Sequence, residues 1–382
     1  MIVNIARQFV AAAVAACSLA LAPALRAQSV DFPPPLEVRV PKPPTVARGE
    51  GQRILVYELH VTNLGPQSLT LQRIEVVDAG NGAVLQTLAD SSLARAIARP
   101  ALRLPAVERP RIGAGLRAIV YLWVPLAHAS TPRALRERLT VTGTGADSTT
   151  PKVLETAPVP VFTDVAVITA PLRGGVWLAA NGPAAESGHR RAAIPVYGGM
   201  FTAQRFAIDW VKIDEEDKTF SGDSLKNTSY YAYGNDALAV ADGIVTEVKD
   251  GIPENVPGLT SRAVPITLET VGGNHVIVDL GSGRYAFYAH LQPGKIRVRV
   301  GDHVKRGEVL GLVGNSGNST EPHLHFHISD ASSPLGSEGI PYELESFEVV
   351  GKCQSLLGAC ARTAPVVRRR EMPLANELVR FP

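Results

Sequence analysis

The chain has 382 residues, 45% of them hydrophobic, with 38 basic against 36 acidic side chains and a formal net charge of +2. That length accommodates two or three domains of ~150 residues with sizeable cores. The balanced charge excludes a global basic field, and the few aromatics are not interleaved with basic clusters, so a nucleic-acid binder is excluded.

The 34 glycines and 29 prolines, with few long helical patterns, predict a mostly β architecture. Arg7 precedes the apolar run FVAAAVAACSLALAPAL and a small residue at Ala27, so residues 1–27 read as a secretory signal peptide. Val14-Ala15-Ala16-Cys17 resembles a lipoprotein box, but the apolar run continues past Cys17, which favours soluble export. No later stretch is long and apolar enough to span a membrane. Export leaves the choice between periplasm and extracellular space open.

Residues 28–50, with FPPPLEVRVPKPP, read as a Pro-rich linker. From 51 to 160 the pattern is strands at short spacing: ILVYELHVTNLG, then two strands around Gly80-Asn81-Gly82, then LRAIVYLWV and a further strand from Leu139. These predict an immunoglobulin-like β-sandwich. His60 reads as a sheet residue and His128 as a solvated loop residue.

Residues 166–350 form a second β unit. Phe206–Val211 reads as a buried strand carrying Asp209, a carboxylate that needs a partner or a cation to be buried. The polar stretch Asp214–Asn235 is a candidate lid. ALAVADGIVTEV reads as a hairpin around Asp242-Gly243, followed by strands NHVIVDL and GRYAFYAHL, the latter ending near His290. In GLVGNSGNSTEPHLHFHI, strand alternation puts His323, His325 and His327 on one face and Leu324, Phe326 and Ile328 on the other. Such a row of imidazoles points to metal binding or acid–base chemistry. The glycine loop Gly314–Gly317 lacks the GK[ST] ending of a phosphate loop. His275 and His303 read as structural or solvated. Residues 351–382 form a tail in which Cys353 and Cys360, an even pair after export, predict a disulfide. Met372, Leu374 and Leu378 strap that tail to the domain, and Arg368–Arg370 reads as solvated.

AIDW, AVADGIV, GNHVIVDLG, YAHL, VRVGDHVKRGEVLGLVG and GNSGNSTEPHLHFHI occur in this order. Together they resemble the lysostaphin/LytM-type zinc endopeptidases that cut peptide cross-links of bacterial cell walls. The resemblance implies an all-β fold, with a LytM-type antiparallel β-sheet peptidase domain following the sandwich, and one zinc ion. By resemblance Asp209 and His325 match zinc ligands, and His290 and His323 match the two histidines beside the metal. His327 stands where the family often has Glu, as an outer partner of His325, an auxiliary ligand or a bystander.

One position departs from the family. Its first ligand is a His four residues before the Asp, and Arg205 stands there. Arg is permanently cationic and cannot ligate zinc. Two accounts stand at this point. In one, His189 replaces the missing ligand by way of a hairpin in the intervening segment. In the other, the site is degenerate and the domain is a non-catalytic wall-binding or regulatory module. The expectation is an exported zinc endopeptidase acting on peptidoglycan peptides, with zinc held by Asp209, His325 and His189 and with His290 and His323 as catalytic groups. The oligomeric state is not specified by any feature of the chain.

Overall fold

The computed structural model describes residues 33–100, 102–127, 131–143, 150–258, 262–356 and 358–381. The expected signal peptide, Cys17 and His128 fall outside them. Among the described residues almost every element is a strand, the one α-helix being Asp90–Ala96. No helix there is long and apolar enough to cross a membrane.

Two sheets face each other over a shared core in the first half. One has the order Leu36–Arg39, Gln52–Asn63, Arg117–Leu126, Ile97–Ala98, with Val46–Gly49 also paired to Gln52–Asn63. The other has the order Lys152–Glu155, Ala134–Gly143, Leu69–Asp78, Val84–Ala89. The hairpin expected around Gly80-Asn81-Gly82 joins the last two strands. Leu55, Tyr57, Leu59 and Val61 point into the core between the sheets, against Ile74, Leu122 and Leu139. The opposite face of the same strand is buried too, because Ile54 and Val56 join the core of the second half. Residues 54–61, ILVYELHV, are therefore buried without interruption, in a strand covered on both sides.

The expected linker needs correction. Leu36–Arg39 and Val46–Gly49 are strands of the first sheet, and the prolines lie between them or before them, where no ladder donor is needed.

The second half is built on an antiparallel ten-stranded sheet. Its order is His303–Val304, Gly243–Lys249, Asn274–Asp279, Tyr285–Leu291, Leu324–Ser329, Ile208–Ile213, Val176–Ala180, Glu377–Arg380, Phe347–Cys353, Cys360–Arg368. Alternation sends Ile208, Trp210, Leu324, Phe326 and Ile328 into the main core with Trp177 and Tyr288. Asp209, His325 and His327 point to the other face.

Two more expectations are revised. Asp236–Leu238 and Gly243–Lys249 do not form a hairpin. The first pairs with Val309–Leu312 and the second with Asn274–Asp279, since Ala239 and Val240 between them are buried rather than turned outward. The tail is likewise not merely strapped on. Glu377–Arg380 and Cys360–Arg368 are full members of the sheet, and Met372 and Leu378 are completely buried. Cys353 and Cys360 are disulfide-bonded at paired positions of adjacent strands. The described residues from Pro34 onward pack as one compact unit.

Candidate metal centre

Asp209 and His325 lie directly opposite each other on the paired strands Ile208–Ile213 and Leu324–Ser329. Cross-strand partners on one face are close neighbours, and His325 Nδ1 is 2.8 Å from Asp209 Oδ1. His189 reaches the same carboxylate from a different direction, its Nε2 3.3 Å from Asp209 Oδ2. Between His189 and Asp209 the chain folds back as the hairpin Ile194–Val196 and Gly199–Phe201, which returns it to the sheet. One donor atom from each of His189, Asp209 and His325 lies within 4.8 Å of the other two. Two imidazole nitrogens and a carboxylate oxygen in that space fit a zinc ion and leave a fourth position for water or substrate.

Each of these donor atoms is oriented by a neighbour. His189 Nδ1 donates to the Asn181 carbonyl at 3.1 Å, which leaves Nε2 facing the site. Asn181 also donates from its side-chain amide to Asp209 Oδ2 at 2.8 Å. His325 Nε2 sits 3.0 Å from His327 Nδ1. With His325 Nε2–H donating to His327, Nδ1 keeps the lone pair that a metal requires. His327 is not among the clustered donors, and its contact with His325 Nε2 is the geometry of an outer partner. Burial, then the charges of His325 and His189, hold its pKa well below the ordinary value, so it stays a neutral acceptor.

His290 and His323 flank this group, their ring centroids 4.8 Å apart. Both turn Nδ1 away from the cleft: His290 donates to the Ser316 carbonyl and His323 to the Glu321 carbonyl, each at 2.8 Å. Their environments differ. Burial and the charges of His323 and His325 push His290 well below its ordinary pKa, keeping Nε2 an acceptor. Burial, the largest single influence, lowers His323 as well, but the Asp209 charge and hydrogen bond, 3.4 Å from its Nε2, together with the Glu321 carbonyl and charge, raise the pKa on balance. Asp209 would be raised by burial, yet the surrounding His189 and His323 hold it well below the ordinary carboxylate range.

His290 has a φ of +65°, a left-handed conformation rare for a side-chain-bearing residue. Its N–H donates to the Gly272 carbonyl and its carbonyl accepts from Gly314, so both sides of the residue are pinned. The glycine loop serves this packing. A Cβ on Gly317 would meet Gly273 N at 2.2 Å, a contact only glycine permits. The five expected site residues line a single cleft of about 300 Å³ with Gln204, Arg262 and Leu335. The Asp214–Asn235 stretch does not line it among the described residues, which revises the expected lid. Its side chains turn instead to neighbouring loops, as in the contact of Thr219 with Glu321.

Sequence reasoning missed Asn181, although Asn181-Gly182 after the strand VWLAA is a turn signal, and Asn181 does adopt a φ of +49°. Arg205 is buried away from the cleft, in ion pairs with Glu58 and Glu338. His60 is a buried sheet residue, His275 contacts Glu247, and His303 is exposed.

Residues 229–336 match peptidase family M23. The chain carries a peptidase family M23 domain. Over 65 residues it is 38% identical to the peptidoglycan DD-endopeptidase ShyA of Vibrio cholerae, covering 17% of this chain and 15% of that one. Over 74 residues it is 35% identical to lysostaphin of Staphylococcus staphylolyticus, covering 19% and 15% respectively. The solved catalytic domain of lysostaphin from Staphylococcus simulans aligns with a TM-score of 0.23 at 23% identity, over 41% of this chain and 83% of that one. The chain matches only 15–20% of the length of its first curated relatives. Asp209 and His189 both precede the matched residues, so the family match by itself does not reach two members of the candidate centre.

Proposed function

We propose that this protein is an exported zinc endopeptidase that hydrolyses peptide cross-links of bacterial peptidoglycan. The observation that carries the reading is the convergence of His189, Asp209 and His325 in one cleft although Arg205 occupies the family's usual ligand position. The M23 domain and the similarity to wall endopeptidases support the reaction class and substrate. Export rests on the signal-like residues 1–27.

His189 Nε2, an Asp209 oxygen and His325 Nδ1 would hold the metal. When bound, zinc supplies a Lewis acid that polarises the scissile carbonyl and acidifies a water molecule. His290, neutral with Nε2 free, accepts the proton from the attacking water. His323, with Nδ1 fixed on the Glu321 carbonyl, presents Nε2–H to the oxyanion that develops on the carbonyl oxygen. Asn181 keeps Asp209 and His189 oriented, and Leu335 helps to bound the cleft.

The test measures zinc per chain by elemental analysis and release of peptides from purified sacculi, in the native protein and in His189→Ala. One zinc and hydrolysis in the native protein, both lost in the variant, are expected. Native protein that takes up no supplied zinc, yet binds sacculi, selects the non-catalytic module instead.

A further inference from the structure

His189 is the one proposed ligand that no strand holds. Asp209 lies on a strand and His325 on its partner, whereas residues 181–193 form turns between Val176–Ala180 and Ile194–Val196. Turns of this kind fix a side chain only if something packs on them. What packs here is the sandwich, through the next residue along the chain.

Arg190 is completely buried. Its Nη2 donates to the Leu122 carbonyl at 2.6 Å and to the Tyr57 carbonyl at 3.3 Å, both on sandwich strands. Its guanidinium lies 5.5 Å from the Tyr121 ring centre, over the ring, and its Nε is 3.6 Å from Glu58 Oε1. Tyr121 also donates to the Arg191 carbonyl at 3.3 Å. The two residues after His189 are thus clasped by Gln52–Asn63 and Arg117–Leu126.

Glu58 is the charge at the centre of that clasp, only 1% exposed, on the face of its strand that turns away from the sandwich core. Its other oxygen lies 2.8 Å from Arg205 Nε, and Arg205 continues to Glu338 and to the Gly339 carbonyl. Two arginines and two glutamates balance in this buried cluster. One arginine follows His189 directly, and the other stands four residues before Asp209. A carboxylate buried between two guanidinium groups is costly to neutralise on one side, so the cluster resists rearrangement. The side chain that cannot bind zinc is therefore part of the frame that presents its replacement.

We propose that Glu58 of the sandwich is a positioning residue for the metal centre, holding His189 against Asp209 through the buried Arg190. The inference rests on the reading of His189 as a zinc ligand, and it makes the first half of the chain part of the centre's scaffold.

The test uses the full-length exported form. Zinc affinity is measured by competition with a chromophoric chelator, and the cobalt-substituted protein is examined by visible absorption. The variants are Glu58→Gln, Arg190→Met, His189→Ala and, as a control in the far sheet of the sandwich, Leu139→Ala. Glu58→Gln and Arg190→Met are expected to weaken zinc binding by roughly 10–100-fold and to shift the cobalt spectrum toward that of His189→Ala. Leu139→Ala is expected to lower thermal stability while keeping native zinc affinity. Should Glu58→Gln fail to fold, Arg190→Met, which keeps the Glu58–Arg205–Glu338 contacts, decides alone. Native affinity and spectrum in Glu58→Gln or Arg190→Met overturn the proposal, as does an equal loss of affinity in Leu139→Ala. A native protein without zinc uptake removes the proposed function together with this inference. Native uptake that ignores both substitutions in the clasp removes the inference alone.

Discussion

At the scale of single residues, two histidines with almost the same hydrogen bond are biased toward opposite protonation states. Both place Nδ1–H on a backbone carbonyl, so each offers only Nε2 to the cleft. His323 faces the Asp209 carboxylate and is biased toward the charged, donating form, while His290 has its charged form disfavoured by burial and by neighbouring imidazoles. Neighbouring groups driven apart in pKa mark an acid and a base. His290→Ala is expected to lower the rate of sacculus hydrolysis on the order of 10²–10⁴-fold, the usual range for losing a general base. His323→Ala is expected to cost roughly 10²–10³-fold, as for an oxyanion donor. Both variants should keep one zinc per chain, which elemental analysis checks. Loss of the metal in either would move that histidine from assisting the reaction to holding the ion. The histidine row was legible because alternation is a local property of a strand. The tautomer of His290 was not, because it depends on the Ser316 carbonyl, 26 residues away along the chain.

At the scale of elements, the tail shows how little a strand's own sequence says about its neighbour. No strand was expected at ELVR or CARTAPVVR, and the sequence offered burial only for Met372, Leu374 and Leu378. In the fold, Glu377–Arg380 pairs with Val176–Ala180, which in turn pairs with the strand of Asp209. The disulfide lies farther out, at the end of Phe347–Cys353. A staple closing so short a loop stabilises by about 2–3 kcal/mol in the chain-entropy picture. Replacing Cys353 and Cys360 by Ser should therefore lower the urea midpoint by a corresponding amount under oxidising conditions. Zinc content should stay at the native level, because two strands separate the bridge from Asp209. A fall in zinc content alongside the midpoint would show instead that the tail strands and the centre unfold as one element.

At the scale of the whole molecule, one strand belongs to two cores. Leu55, Tyr57, Leu59 and Val61 fill the sandwich, while Ile54 and Val56 join the core of the second half, with Glu58 and His60 on that same face. His60 senses this burial. Desolvation first, then the Arg117 charge, lower its pKa from 6.5 to about 4, against a smaller opposing pull from Glu58. Between those values the unfolded chain binds a proton that the folded chain refuses, so stability falls as pH drops from 6.5 toward 4 and the loss is complete below it. His60→Gln should show a smaller drop in urea midpoint than the native protein between pH 7 and pH 4.5. An identical drop in both would mean that His60 keeps its unfolded-state pKa.

What the sequence determined by itself was local in origin. Strand periodicity, turn dipeptides and the ordered motifs specified an all-β chain, a peptidase-like second half and a face carrying His323, His325 and His327. The missing ligand at Arg205 was equally plain, and His189 was a candidate replacement because it lies just upstream and the intervening segment could fold back as a hairpin. Tertiary structure decided the rest. It brought His189 to Asp209 by a hairpin and a clasp from the sandwich, made strands of an expected linker, and sent Arg205 into a buried ion cluster with Glu58, 147 residues away. The physical reason is the range of the interactions. Alternation and turn chemistry act over a few residues and leave a trace in the order of side chains. Buried charge pairing and the covering of a strand's second face join distant segments, and only the packed chain shows which segments those are.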